Sequence, residues 1–417
     1  MNLVASPPSP RPSLLGLPAI LALSGVMAAI LLYWLDAMVA GPRVGLSING
    51  HALWGRDFAN LWSAGRLGIE GRTDLLYDVK AYQAWQVATF GPILDDHNYS
   101  YPPSSLLYAP LFGALPYLAA LALFSVLSLG LFVLAAKPWL EQARLSPWLT
   151  LLLPSSLVCL WAGHYGLIVG ALWLYAWRHL DDRPGRAGIA IGLMLIKPHL
   201  AILMPLVLLR RRAWRAIAFA SLTVALLVGV SGALFGFDLW RVWLGSTSGL
   251  QLSLIGQPES LWSYMMPTLA PALFAYGVAP GLVWSLQLLL SAATIALLLW
   301  RLPEDRAEAA GLTAVATFLV LPYGFNYDLT AVGVAALLLF AKAMCEGRKV
   351  DAWIAAATIA LPSTMVYLAT MGWRIAPLVL AAQFVVMLRA TSAPHRRKPS
   401  AAFPPGRASL PAPPAGR

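Results

Sequence analysis

Eleven apolar runs wide enough to enter or cross a bilayer divide this 417-residue chain, near residues 14–40, 104–136, 145–162, 165–177, 187–209, 214–235, 267–300, 310–322, 329–345, 352–371 and 375–388. A helix that crosses the hydrocarbon core needs roughly 20 mostly apolar residues, and soluble cores do not supply such runs in succession. An all-α, polytopic transmembrane helix bundle is therefore expected. Composition agrees: 59% of residues are hydrophobic and 11% charged, which excludes a disordered chain and a charged coiled coil. Two cysteines, Cys159 and Cys345, do not make a disulfide scaffold and are expected to be small packing residues.

A formal charge of +11 would suit a nucleic-acid binder if it were clustered on one folded face. Its distribution says otherwise. With a cytoplasmic N-terminus the loops alternate sides, provided that the run 187–209 is broken at Lys197-Pro198-His199 into an up-and-down pair. Of the 29 Lys and Arg residues, 21 then fall on the cytoplasmic side with 8 acidic residues, and 8 fall outside with 10 acidic residues, a balance of +13 against −2. That asymmetry is a positive-inside signal, and no nucleic-acid partner is expected. The first run, 14–40, is too long for a signal-peptide core, so it reads as a retained helix preceded by a short cytoplasmic segment, 1–13. Residues 391–417, rich in Pro, Ala and Arg, read as a disordered basic cytoplasmic tail whose Arg396-Arg397-Lys398 cluster meets anionic lipid headgroups. Between them, 14–390 is expected to form one membrane domain.

The longest polar interruption, 41–103, holds Trp54, Trp62, Tyr77, Tyr82, Trp85, Tyr99 and Tyr101. It is therefore expected to fold. Phe58, Leu61, Trp62, Gly65 and Ile69 recur at helical spacing, as do Tyr82, Trp85 and Thr89, which predicts two short amphipathic helices lying in the extracytoplasmic interface. Asp57 opens the first. Its position suits an N-cap and equally suits a general base at the membrane surface, and the two roles are compatible.

Asp57-Phe58, Ala64-Gly65-Arg66, Gly71, Leu76-Tyr77-Asp78 and Tyr101-Pro102-Pro103 together resemble the first extracytoplasmic loop of glycosyltransferase family 87, integral-membrane mannosyltransferase-like enzymes of the GT-C superfamily. Gly163-His164, Lys197-Pro198-His199 followed by Arg210-Arg211-Arg212, and Pro322-Tyr323 leading to Asn326-Tyr327-Asp328 extend the similarity over roughly residues 14–390. The resemblance implies a GT-C-like bundle, a polyprenyl-phosphate-linked sugar donor, and Asp57 as the catalytic residue. This chain has His164 where members often carry Gln, and Tyr327 and Asp328 where they often carry His.

Transfer from a lipid phosphate needs a base for the acceptor hydroxyl and cations for the leaving phosphate. Asp57 as base would give direct displacement with inversion, without the paired carboxylates of a glycosidase. An ammonium in an apolar run costs about 2.5–3.5 kcal/mol near the bilayer centre unless it is partnered, so Lys197 is expected to meet the donor phosphate, with His199 as a second donor. Arg66 lies nine positions after Asp57, about 180° around an ideal helix, and ranks as a headgroup contact. His164 suits either a structural hydrogen bond or donor binding. Asn326, Tyr327 and Asp328, with Tyr101, complete the candidate site, since an intramembrane carboxylate is a functional candidate. Glu259 and the turn Asp95-Asp96-His97 read as solvated.

There is no HExxH, CxxC, Walker A or dinucleotide fingerprint, so no resident cofactor or metal site is predicted, although a divalent ion stays open. The expectation is a multi-pass glycosyltransferase of a prokaryotic plasma membrane, with both termini cytoplasmic. It would transfer a hexose, mannose by the resemblance, to a lipid or glycan acceptor on the outer side. The alternative is a transporter or flippase of a lipid-linked or amphipathic solute, which usually keeps its key groups at the midplane and would not need the aromatic loop around Asp57.

Overall fold

The computed structural model describes residues 47–48, 52–91, 97–258 and 260–392. The segment 1–13, the run 14–40, the tail beyond 392, Asp95, Asp96 and Glu259 lie outside the described residues. Within them the fold is all-α, apart from a two-residue antiparallel pairing of β1 (Ser47–Ile48) with β2 (Ala52–Leu53).

Both helices expected in the long polar loop form, as α1 (Phe58–Ile69) and α2 (Val79–Phe90), joined by a 3-10 turn, Thr73–Tyr77. Asp78 caps α2 by accepting from the Ala81 N–H. α1 is more enclosed than a surface helix. Phe58, Leu61 and Gly65 of the expected stripe are buried, as is Ala59, while Ile69 is exposed, because α1 packs against α3 (Ala109–Gly113) and not only against lipid.

Two apolar runs turn out to be composite. The run 104–136 becomes the 3-10 turn Pro103–Leu107, α3, and a long α4 (Tyr117–Gln142) that starts after Pro116. A residue before proline is pushed out of the helical region, which separates α3 from α4. Next come α5 (Pro154–Ala162), α6 (Gly166–His179) and α7 (Pro184–Leu193). As expected, the chain breaks at Lys197, between the 3-10 turns Met194–Ile196 and Pro198–Ala201, before continuing as α8 (Met204–Arg210). α9 (Trp214–Phe235) is followed by α10 (Phe237–Ile255), a 19-residue helix in a stretch the sequence leaves without an apolar run. α11 (Leu261–Tyr264) and α12 (Leu269–Ala275) precede α13 (Pro280–Trp300), so the run 267–300 is also two helices, divided ahead of Pro280. α14 (Arg306–Val320), α15 (Thr330–Cys345), α16 (Lys349–Thr370) and α17 (Ala376–Ser392) complete the fold.

α4, α9, α13 and α16 are long and apolar enough to cross a membrane, by length and composition. Of the most apolar stretch of α9 only 11% is buried, against 67% in α16. α9 is thus an outer helix that leaves its apolar surface for lipid, and α16 an inner one. α14 and α15 are buried almost all round, as helices apolar on every face must be.

Four inner segments run between the same two ends. Arg306, at the start of α14, donates to Asp182 and to the Arg178 carbonyl, and Arg211 donates to the Pro303 carbonyl and lies 4.0 Å from Asp181. Asp181 precedes α7 and Arg211 follows α8, so α7 and α8 leave one basic end and return to it. Lys342 joins the same end through Glu308, at 2.7 Å. At the other end lie His164 ahead of α6, Lys197 after α7, Tyr323 after α14 and Asp328 ahead of α15. The helices α6, α7, α14 and α15 between the two ends are 10 to 16 residues long, roughly 15–24 Å at 1.5 Å per residue. Cys159 is buried, donating to the His164 carbonyl at 3.0 Å, whereas Cys345 is exposed at the end of α15 and packs less than its apolar run suggests.

Candidate active site

Asp57 ends the turn that leads into α1, and although its position suits an N-cap, its side chain makes no capping bond. The backbone holds the turn instead. The Asp57 N–H donates to the Ala162 carbonyl at 2.9 Å, and the Tyr117 hydroxyl donates to the carbonyls of Trp54 and Gly55 at 2.6 and 2.9 Å. Contact with the end of α5 depends on Gly163, whose φ is +66° and where a Cβ would lie 2.6 Å from Cβ of Phe58. The carboxylate is therefore free for other chemistry.

That carboxylate faces His97, whose Nε2 lies 3.2 Å from Oδ1. The sequence suggests a solvated turn at His97. The structure buries it beside Trp262, with ring centroids 5.8 Å apart, because the segment 97–101 turns inward against α1 and α10. Its Nδ1 finds no hydrogen-bond partner among the described residues. The bonds that anchor this inward segment include Asn60 Nδ2 donating to the Asn98 carbonyl at 3.3 Å and Trp243 Nε1 of α10 donating to the Ser100 carbonyl at 2.9 Å. Burial pushes the Tyr77, Tyr82 and Tyr99 phenols of the same loop up, so all three stay protonated.

The remaining candidates form a connected series. Tyr101 Oη is 3.1 Å from His164 Nε2, and the imidazole stacks on Tyr327 at 3.9 Å and 26°. α6 can begin hard against the Asn326–Asp328 turn because residue 166 is glycine; a Cβ there would lie 2.1 Å from the Tyr327 oxygen. His164 Nδ1 in turn lies 3.8 Å from Asp328 Oδ1. Lys197 Nζ donates to both Asp328 oxygens at 2.8 Å. The ammonium that the sequence expects to meet a donor phosphate is thus paired with a carboxylate 131 positions away, which offsets the cost of burying it. The Asp328 side chain is fully covered, and Lys197 stands in front of it on a cavity wall. An ammonium has three N–H groups, so pairing with one carboxylate leaves it able to donate again. His199 packs on Tyr323, with centroids 4.9 Å apart, and its Nε2 also finds no partner among the described residues.

These groups line one cavity of about 440 Å³. Asp57, Asn60 and His97 form one part of its wall, Tyr101, His164 and Tyr327 another, and Lys197 and His199 a third. Trp243, Leu244, Leu252 and Leu254 of the unexpected α10 supply an apolar side. Among the described residues that line it, Asp57 is the one carboxylate and Lys197 the one Lys or Arg. The cavity is thus apolar with a few convergent polar groups, as small-molecule sites commonly are.

Two candidates stand elsewhere. Arg66 pairs with Glu70 at 3.7 Å and lies over the Trp62 ring, outside the cavity. Asn326 sits behind the wall, donating from Nδ2 to the Pro362 carbonyl at 2.6 Å and from its backbone N–H to the Met265 carbonyl at 2.9 Å, which holds the turn that carries Tyr327 and Asp328. Sequence reasoning missed His97, Asn98 and α10. A helical spacing of Phe237, Trp240, Trp243 and Leu244 was the available signal for the last. Among the described residues no group of three or more His, Cys, Asp or Glu side chains is placed to hold a metal ion.

A bundle of apolar helices with a cavity that gathers a few polar groups at the end opposite its basic end defines a polytopic membrane protein with a built site. The model of Glycosyltransferase family 87 matches residues 99–322, more than half of the chain. The chain belongs to glycosyltransferase family 87 and is a membrane glycosyltransferase. No curated protein and no solved structure matches it. The matched span contains Tyr101, His164, Lys197, His199 and α10, while Asp57 precedes it and Asp328 follows it.

Proposed function

We propose that this enzyme transfers a hexose, mannose by family resemblance, from a polyprenyl-phosphate donor to a hydroxyl of a lipid or glycan acceptor on the extracytoplasmic side. The observation that carries the reading is the pairing of groups on the cavity wall: among the described residues a carboxylate, Asp57, unoccupied by capping, and an ammonium, Lys197, are open to the same space. In the proposed step the acceptor oxygen attacks the anomeric carbon while Asp57 takes its proton. The bond between that carbon and the phosphate oxygen breaks on the opposite face, so the configuration inverts. The departing phosphate gains negative charge, which Lys197 and His199 stabilise with N–H donors. His97 holds the Asp57 carboxylate toward the acceptor, and Tyr101 and Tyr327 fix His164 beside the sugar.

The charge asymmetry supports cytoplasmic termini and a prokaryotic plasma membrane. With it goes one membrane domain, 14–390, flanked by cytoplasmic segments 1–13 and 391–417. The cavity end then faces outward, where lipid-linked sugars are presented to acceptors. No role for a cofactor enters this step.

The test uses proteoliposomes of the full chain holding radiolabelled polyprenyl-phosphate hexoses and a panel of lipid and glycan acceptors. Label appearing on an acceptor, with inverted anomeric configuration by NMR, is the expected result. Movement of lipid-linked sugar across the bilayer without any transfer would contradict the proposal and favour a flippase.

A further inference from the structure

A second pocket, of about 380 Å³, adjoins the first and has no part in the step above. It lies between the outer loop and α10, with Tyr77 and Tyr99 on one wall and Ser246, Gly249 and Ser253 on the other. Asn98 lines both pockets. The partition is itself anchored, since Asn98 accepts from Asn60 through its carbonyl and from Gln83 through Oδ1, at 3.3 and 3.1 Å.

Among the described residues, none that lines the second pocket is charged. A phosphate would find no cation there, whereas the first cavity offers Lys197 and His199. Aromatic walls and hydroxyls together suit a ligand with apolar ring faces and many neutral hydroxyls; the Tyr77 and Tyr99 rings sit 5.6 Å apart at 57°. The shared wall also lies next to the base: Asn98 follows His97, whose Nε2 is 3.2 Å from Asp57 Oδ1.

We propose that the second pocket binds the uncharged glycan portion of the acceptor and delivers its hydroxyl past Asn98 to Asp57. The donor phosphate then occupies the Lys197 and His199 side, and the two substrates meet from different pockets. This rests on the transfer reading for its catalytic meaning, but occupancy of the pocket is testable without turnover.

Gly249 is the site for the test, because it lines the pocket and a Cβ there meets nothing within 4 Å among the described residues. The purified full chain would be titrated by calorimetry with octyl glycosides carrying one, two and three uncharged hexoses, and separately with a polyprenyl-phosphate hexose. Gly249→Trp is expected to weaken binding of the trisaccharide probe at least about tenfold, a loss of about 1.4 kcal/mol, with donor binding unchanged. Ser246→Trp, on the same wall, is expected to act alike and guards against a local folding defect at 249. Unaltered trisaccharide affinity in both variants, or no binding of any uncharged probe by the parent protein, overturns the proposal. Probe binding that is lost in both variants, from a protein that transfers no sugar, would uphold the pocket and contradict the catalytic reading instead.

Discussion

Breaking the Lys197–Asp328 pair one partner at a time separates its structural role from its catalytic one. At 2.8 Å, the attraction is roughly 6 kcal/mol with an effective dielectric constant of about 20. Desolvation of the two ions offsets most of that, so the intact pair contributes little net stability. Removing one partner is different, because the other charge then stays buried: Lys197→Met leaves a fully covered carboxylate, and Asp328→Asn leaves an ammonium, each costing about 3–5 kcal/mol. The double variant Lys197→Met, Asp328→Asn removes both charges and should regain most of that stability. It should not regain donor binding, since the phosphate has lost its ammonium. Unfolding of each variant in detergent, followed by tryptophan fluorescence, gives the stability cycle, and calorimetric titration with a polyprenyl-phosphate hexose gives the donor affinity. Single variants as stable as the parent would refute the buried pair. A double variant that binds donor as tightly as the parent would refute the phosphate role of Lys197.

Further outcomes follow from the same geometry. Gly163→Ala should destabilise the protein by about 1–3 kcal/mol, since it adds a Cβ at positive φ against Phe58; an unchanged unfolding midpoint would mean that the turn is not held as described. Arg66→Ala should change transfer less than about twofold, because the pair with Glu70 is solvent-exposed; a large loss of donor affinity would put Arg66 in the site after all. His97→Ala should lower kcat by more than it changes acceptor KM, with His97→Gln restoring part of the rate. Equal effects of the two variants would make His97 merely structural.

Much of this site was legible in the sequence because breaks in apolar runs must be explained. Lys197-Pro198-His199 interrupts a run that is otherwise helical, and the structure breaks there with both polar side chains on the cavity wall. Asp57 could be named because it opens the first helix of an aromatic loop too rich to be a linker, and Tyr101 because Tyr101-Pro102-Pro103 resembles a motif of the family. What stayed hidden was pairing across long separations. Nothing in the spacing links Lys197 to Asp328, so in the sequence the carboxylate that satisfies the ammonium stands as an independent candidate. His97 was hidden for a similar reason: two neighbouring aspartates make it read as solvated, while its burial comes from contacts with α10 and Trp262. α10 itself escaped because Asp238, Arg241 and several Ser and Gly residues dilute its apolar pattern below that of a membrane run. Arg66 shows the converse, since its motif places it near Asp57 in sequence while the helix turns it away.

The most direct test of the central claim is single-turnover sugar transfer by Asp57→Asn in proteoliposomes, beside the parent protein and with donor affinity and unfolding midpoint measured on the same preparations. A general base contributes roughly 10²- to 10⁴-fold, so the rate should fall by that range while donor affinity and stability hold. Transfer at the parent rate in a folded, donor-binding Asp57→Asn protein would contradict the account.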